Sequence, residues 1–320
     1  AGFSSYSIWW LLCHYEWYRY HGNKAYLEQS RDYITALLRQ LMTQIAPDGQ
    51  ECLDGTRFLD WPSNSNKDAI AAGLQALMVW GMRVGVEFAE LFEDRQLSND
   101  CKAAEKKLVK AASKVYKKFL ASCPAPDAPG SKQVTALMTI TGLIDAPKAD
   151  KEFLSINGAQ GFSTFYGYYM LEAMAMAGNY QGALDVIREY WGAMIDLGAT
   201  SFWEDFDINW IPNAAPIDEL VPEGKKDIHG DCGAYCYVGF RHSLCHGWAS
   251  GPTSWLSRHI LGVEVIEPGC RQVRITPHLG DLQWVKGTFP TPYGELQIYH
   301  EKQANGNVIS EVKAPKGVSV

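Results

Sequence analysis

The sequence predicts a chain of two parts: helices wound as an α/α toroid, then an antiparallel β domain. Three observations predict this. Through the first 262 residues, apolar side chains recur at helical spacing, in pairs of a more apolar and a more polar helix joined by short turns. After Gly262 the apolar period falls to two. The 320 residues are 47% apolar and 20% charged, which excludes disorder and suits two domains at about 150 residues each.

Residues 4–21 and 24–46 read as a helical hairpin broken at His21-Gly22-Asn23, and Pro47-Asp48-Gly49 makes the next turn. A loop over 51–66 follows. Ile70, Leu74, Leu77, Met78, Gly81 and Phe88 then mark one face of a long helix. Its apolar stretch 69–82 contains Gly73, Gln75 and Gly81 and is bounded by Asp68 and Arg83, so it reads as a buried helix rather than a membrane span. Residues 100–120 form a more charged helix and 131–143 a short one. Phe162, Phe165, Tyr166, Tyr169, Met170 and Ala173 mark another helix, whose partner is 180–196. Residues 242–261 read as a last helix, stopped by Gly262. About eight or nine helices result, fewer than the twelve of a six-hairpin toroid. Strands are expected at 263–266, 273–276, 282–288, 295–301 and 308–312, as a β-sandwich. The expected domains are therefore 1–262 and 263–320.

Net charge is −7, which argues against a nucleic-acid binder that works by neutralising phosphates. There is no phosphate-binding glycine loop and no GxSxG elbow. Ten of the 11 Trp lie before Gly262, in the more acidic portion, and this is the place to look for a ligand with apolar faces and hydroxyls, such as a sugar. The first residues lack the basic start of a signal peptide. The chain also lacks an initiator Met and starts just before a helix, so it is expected to be cut from a longer one.

Three segments carry candidate chemistry. Trp203-Glu204-Asp205-Phe206-Asp207 sits in a loop at a helix end; clustered carboxylates shift one another's pKa and suit proton transfer, whereas the plain alternative is a solvated acidic turn anchored by a Trp. In the loop 54–62, Asp60-Trp61 can bind sugar hydroxyls and a sugar ring, or Arg57 can pair with an Asp while Trp61 plugs the loop. His229, Asp231, Cys232, Cys236, His242, Cys245 and His246 include enough soft ligands for a zinc site, with His242 and His246 sharing a helix face. The C-x3-C spacing is not that of a zinc knuckle, and buried small cysteines are the favoured reading. Trp9-Trp10 adds aromatic density at the start of the first helix.

The segments 162–207, 243–263 and 267–298 together resemble the C-terminal half of bacterial α-L-rhamnosidases, and YSIWW and FLDWP fit the same pattern. The resemblance implies an inverting glycoside hydrolase with an (α/α)6 barrel, incomplete here at its N-terminal end, followed by a β-sandwich. It implies release of terminal α-L-rhamnose from glycosides or polysaccharides. It places the general base at Glu204 and sugar contacts at His246, Asp60, Trp61 and Trp9, with Trp203 as a further aromatic wall. The family's acidic motif for the general acid has no counterpart in these residues, so the acid is expected upstream. No metal or other cofactor is implied, with calcium left open. A periplasmic or secreted location is implied over a cytoplasmic one. Two departures stand out: a long insertion at 208–242, and Cys245-His246-Gly247-Trp248 where the family often has Asn-His-Tyr-Ala. Three alternatives stay open: a non-catalytic carbohydrate-binding toroid, a toroid glycosidase for another sugar, and a zinc-dependent toroid transferase.

Overall fold

The computed structural model describes residues 2–123, 125–228, 232 and 242–320. The chain divides into two compact units: one of residues 1–58, 74–118 and 256–320, the other of 59–73 and 119–255. These units are drawn differently from the division at Gly262, because the strands share their unit with the first helices.

In the first unit, α1 (Ser4–His21) ends as the sequence predicts, at Gly22. The predicted helix 24–46 is two, α2 (Lys24–Gln29) and α3 (Arg31–Thr43). The split falls at Ser30, which leaves helical geometry (φ −100°, ψ 1°) and caps α2 through its own N–H. Asn23 caps the other end of α2 by accepting from the Tyr26 N–H at 3.1 Å. Two long helices follow, α4 (Lys67–Leu91) and α5 (Arg95–Ser122), of which residues 74–91 and 95–118 belong to this unit. By length and composition α4 is apolar enough to cross a membrane, and 78% of its most apolar stretch is buried within the protein. Gln75 is buried on α4. It accepts from the Glu51 N–H at 2.8 Å and donates to the carbonyls of Gly49 (3.1 Å) and Leu108 (2.8 Å), which ties the Pro47–Gly49 turn to α5. Arg57 pairs with Glu51, not with an Asp of its own loop.

Five strands lie where the period-two pattern puts them: β1 (Val263–Val265), β2 (Val273–Ile275), β3 (Trp284–Thr291), β4 (Gly294–Lys302) and β5 (Val308–Lys313). They form two small antiparallel sheets, β1-β2 and β3-β4-β5. Leu261, Val263, Val265, Cys270 and Val273 share one buried cluster with Leu296 and Ile298 of β4, and Tyr20 of α1 packs against it. The end of α1 is fastened there. The Arg19 guanidinium donates to the Val265 carbonyl at 2.7 Å, and the Gly269 N–H donates to the Arg19 carbonyl at 2.8 Å. Gly22 lies so close to Gly269 that a Cβ on it would come within 2.8 Å of the Gly269 Cα.

In the second unit, α6 (Ser131–Ile140) is buried from end to end except for Ile140. A short helix, α7 (Ala146–Ala149), runs into a π turn at Asp150–Leu154. Then come α8 (Gly167–Met176) and α9 (Tyr180–Asp196), the latter capped by Asn179, which accepts from the Gly182 N–H at 3.0 Å. Two predicted helices are corrected. The helix expected from Phe162 starts only at Gly167, and 162–166 is a turn. The single helix expected over 242–261 is instead irregular chain, a 3-10 turn (Gly247–Ala249) and the five-residue α10 (Gly251–Trp255), followed by a π turn (Leu256–Ile260) that is counted with the first unit. Pro252 has no N–H to give, so it is tolerated at the start of α10 but not inside a continuous helix.

Gly262 has φ +74°, and a Cβ there would run into the backbone of Thr276 and Pro277. Gly262→Ala is therefore expected to lower stability by about 2 kcal/mol or more, read as a fall in the urea midpoint with unchanged slope.

Candidate active site

Five of the six expected site residues lie in the second unit, outside its helices: Asp60 and Trp61 on one loop, Trp203 and Glu204 on a second, and His246 on a segment paired with the second. The sixth, Trp9, belongs to the first unit, where it is buried and packs edge-on against Trp80 with centroids 5.9 Å apart.

Glu204 lies on the loop that leaves α9. That loop is paired with the segment 243–246: the Glu204 N–H donates to the Ser243 carbonyl at 2.8 Å, and the His246 N–H donates to the Phe202 carbonyl at 2.7 Å. The Ser243 N–H returns a bond to Glu204 Oε2 at 3.2 Å. His246 Nδ1 stands 4.0 Å from the same oxygen. The Glu204 side chain keeps 17% of its surface exposed and that of His246 35%, so both can meet a solute. Asp205, the next residue, is 1% exposed. Two carboxylates adjacent in sequence thus occupy opposite environments, one facing out and one enclosed.

Trp203 is fully buried (0%), packed against Phe206 and His242 with centroids 5.9 and 6.3 Å away. It anchors the loop from below. Asp60 is also enclosed, at 1% exposure. Its Oδ1 accepts from the Trp61 N–H at 2.9 Å, and its Oδ2 accepts from Gln133 Nε2 at 3.2 Å and from the Ser163 hydroxyl. Burial pushes its pKa up to about 6, opposed by the bonds from Ser163 and Gln133 and reinforced by the charge of Asp205. Trp61 is half-buried beside it.

Several residues that build this site were not legible as such in the sequence. Gln133 comes from α6. Ser163, Thr164 and Phe165 come from the turn before α8. Ser163 bonds Asp60; Thr164 Oγ1 donates to the Glu204 carbonyl at 2.6 Å; Phe165 stacks on Trp248, centroids 5.1 Å apart and planes 5° from parallel. The available signal was a Ser-Thr pair just ahead of a helix, a composition that favours turns and caps. Lys132, the neighbour of Gln133, is wholly buried. Its ammonium donates to the carbonyls of Ile156 (2.9 Å) and Gly158 (2.7 Å) and lies 5.0 Å from the Phe162 ring centre, pinning the stretch that leads into the turn. Burial lowers its pKa to about 8, opposed by Asp127, Glu189 and Asp150.

The zinc alternative meets a specific obstacle at His242. Its Nε2 accepts from the Asp205 N–H at 3.1 Å, and its Nδ1 donates to the Ile228 carbonyl at 3.0 Å, so both ring nitrogens are engaged. It shares no helix face with His246, because 242–246 is not helical. His229, Asp231 and Cys236 lie outside the described residues. Among the described residues, no group of three or more His, Cys, Asp or Glu side chains is placed to hold a metal ion.

Comparison with known proteins gives a family match for one segment of the chain and a fold likeness for most of it. Residues 262–320 match the family described as the bacterial alpha-L-rhamnosidase C-terminal domain. No curated protein matches the chain by sequence. Solved structures with the same fold include the GH78 family rhamnosidase of Bacillus sp. GL1 (20% identity, TM-score 0.72), covering 99% of this chain and 33% of that one. The α-L-rhamnosidase of Aspergillus terreus matches at 16% identity and TM-score 0.67, over 95% of this chain and 35% of that one. The Streptomyces avermitilis α-L-rhamnosidase complexed with L-rhamnose matches at 19% identity and TM-score 0.63, over 94% and 27%. The chain thus spans about a third of the length of the structures it resembles, and its likeness to α-L-rhamnosidases extends across its whole fold.

Asp60 yields a prediction about pH. Its folded-state pKa (about 6) lies above its ordinary value of 3.8, so the stability it contributes is fully present below about pH 4 and is lost as pH rises through 6. The span corresponds to about 3 kcal/mol. The other ionisable groups coupled to it are Asp205 and Tyr190. Asp60→Asn, which keeps the shape and cannot ionise, should flatten the fall in unfolding free energy between pH 4 and pH 7 by that amount, measured by urea titration at each pH.

Proposed function

We propose that this chain forms the base-bearing part of a glycoside hydrolase that releases terminal α-L-rhamnose from glycosides or polysaccharides. The observation that carries the reading is Glu204: a partly exposed carboxylate, oriented by the Ser243 N–H, with the His246 ring 4.0 Å away. The match of residues 262–320 to a rhamnosidase domain and the fold shared with α-L-rhamnosidases support the sugar class. In this reading the helices belong to an (α/α)6 toroid and the strands to a β-sandwich.

The mechanism proposed is inverting. Two carboxyls about 6.5–9.5 Å apart would flank the glycosidic bond, with water between the base and the anomeric carbon. Glu204 takes a proton from that water as its oxygen attacks. A general acid, proposed to lie outside these residues, protonates the departing oxygen. His246 and Trp61, which keep exposed surface, are the proposed contacts to the sugar's hydroxyls and its apolar face. Asp60 and Trp203 are proposed to act from behind them, Asp60 by orienting the Trp61 backbone and Trp203 by seating the Glu204 loop. Trp9 is carried as a further aromatic contact on the resemblance alone. The 6-methyl group of rhamnose favours aromatic neighbours over a polar clamp. Hydrolysis of this kind needs no cofactor, and none is part of the proposal. The resemblance favours a periplasmic or secreted setting.

Two measurements test this, both on the intact protein that carries this chain. Proton NMR of early products from an aryl α-L-rhamnoside should show β-L-rhamnose first; the α-anomer first would overturn inversion. Glu204→Gln should lower kcat by about 100- to 10,000-fold. A variant with normal kcat would remove Glu204 as the base.

A further inference from the structure

The Glu204 carbonyl receives two short bonds from opposite sides of the sequence, Thr164 Oγ1 at 2.6 Å and Trp248 Nε1 at 2.6 Å. Two donors on one peptide oxygen use both of its lone pairs and fix the plane of the peptide on which the carboxylate side chain swings. Trp248 does a second thing. Its indole is held on Phe165 by parallel stacking, and the His246 ring rests against it with centroids 4.5 Å apart and planes at 57°. One half-buried side chain therefore touches both residues to which the proposed chemistry assigns a role. Its polar edge governs Glu204 and its ring governs His246. Thr164 and Phe165 are neighbours on the same turn, so that turn supplies both the second donor to Glu204 and the platform for the indole.

We infer that Trp248, with Thr164 and Phe165, is a positioning device that sets the aim of Glu204 and His246 together. The inference rests on the glycosidase reading for its kinetic consequences, and on the hydrogen bond and the stacking for its geometry. It separates two functions in one residue. Loss of the indole N–H with retention of a ring should loosen Glu204 alone. Loss of the whole ring should also leave His246 without its neighbour.

The test uses the intact protein and an aryl α-L-rhamnoside. Trp248→Phe is expected to lower kcat about 10-fold with KM within twofold, since one net hydrogen bond is removed and the ring stays. Trp248→Ala is expected to lower kcat similarly and to raise KM more than fivefold through His246. Thr164→Val should resemble Trp248→Phe, and Thr164→Ser, which restores the hydroxyl, should return to wild-type kcat. In a Glu204→Gln background, Trp248→Phe should change the residual rate less than twofold, because the group it aims is already gone. A merely structural role would depress both backgrounds alike, and that result, or a wild-type kcat in Trp248→Phe, overturns the inference. A separate measurement needs no turnover: hydrogen exchange of the Trp248 indole N–H, followed by ¹⁵N NMR. Strong protection supports the bond to Glu204, and exchange at the free-indole rate overturns it. A wild-type protein that shows protection but hydrolyses no α-L-rhamnoside would refute the α-L-rhamnosidase reading and leave the positioning geometry standing.

Discussion

A carboxylate taken out of water must be met by donors, and the second unit is arranged around meeting that demand for Asp60. Its three donors come from three places: the Trp61 backbone in its own loop, Gln133 on α6, and Ser163 on the turn before α8. To bring them to one point, the 60s loop, α6 and that turn must all adopt fixed positions. The turn is held a second time by the Lys132 ammonium on the chain that leads into it. Once Ser163 is placed, Thr164 and Phe165 have no freedom either, and they reach across to Glu204 and Trp248. The geometry of the exposed carboxylate is thus downstream of the needs of the buried one.

The same economy explains the difference between Glu204 and Asp205. The backbone N–H of Asp205 is bonded to His242, whose other nitrogen is committed to Ile228. This fixes the neutral imidazole in one tautomer and fastens the loop at its inward side. Tyr190 reaches the carbonyl of Phe206 from α9. With the loop gripped at 203, 205 and 206, residue 204 is the position left to face outward. An exposed carboxylate on a rigid base loses little entropy when it orders against a ligand, which is the condition a proton-transfer group requires.

Much of this was readable in advance where one local rule acted alone. The long helices α4, α5 and α9 and all five strands carry strong periodicity, and Gly22 and Gly262 stop their elements where a left-handed residue is needed. Trp203-Glu204 stood out because a carboxylate beside a Trp in a helix-end loop is an unusual pairing. Reading failed where a tertiary demand overrode a local pattern. Phe162 and Phe165 have helical spacing, yet the residues between them are needed as donors to Asp60 and Glu204, so the helix starts later. Residues 242–246 have a helical look, yet their backbone is used to pair with 202–204. Arg57, for which an Asp of its own loop was one of two readings, pairs with Glu51, because pairing partners depend on where loops return in space. Trp248, which touches the two most chemically pointed residues, stands out in the sequence only as the end of the Cys245–Trp248 departure from the family pattern, which does not reveal its contacts.

The fastening of α1 to the strands has a consequence for how the chain is made. Tyr20 accepts a bond from the Cys270 thiol across 250 residues, alongside the contacts of Arg19 with Val265 and Gly22 with Gly269. At about 5–20 residues per second, a nascent chain waits on the order of 12–50 s between delivering α1 and delivering the strands that complete its surroundings. Throughout that interval Tyr20 and its neighbours lack the partners they will have in the finished protein. The second unit, by contrast, has its last segment in hand by Trp255, before the strands are made. The order of synthesis therefore favours closing the site-bearing unit before α1, although α1 is made earlier than most of that unit.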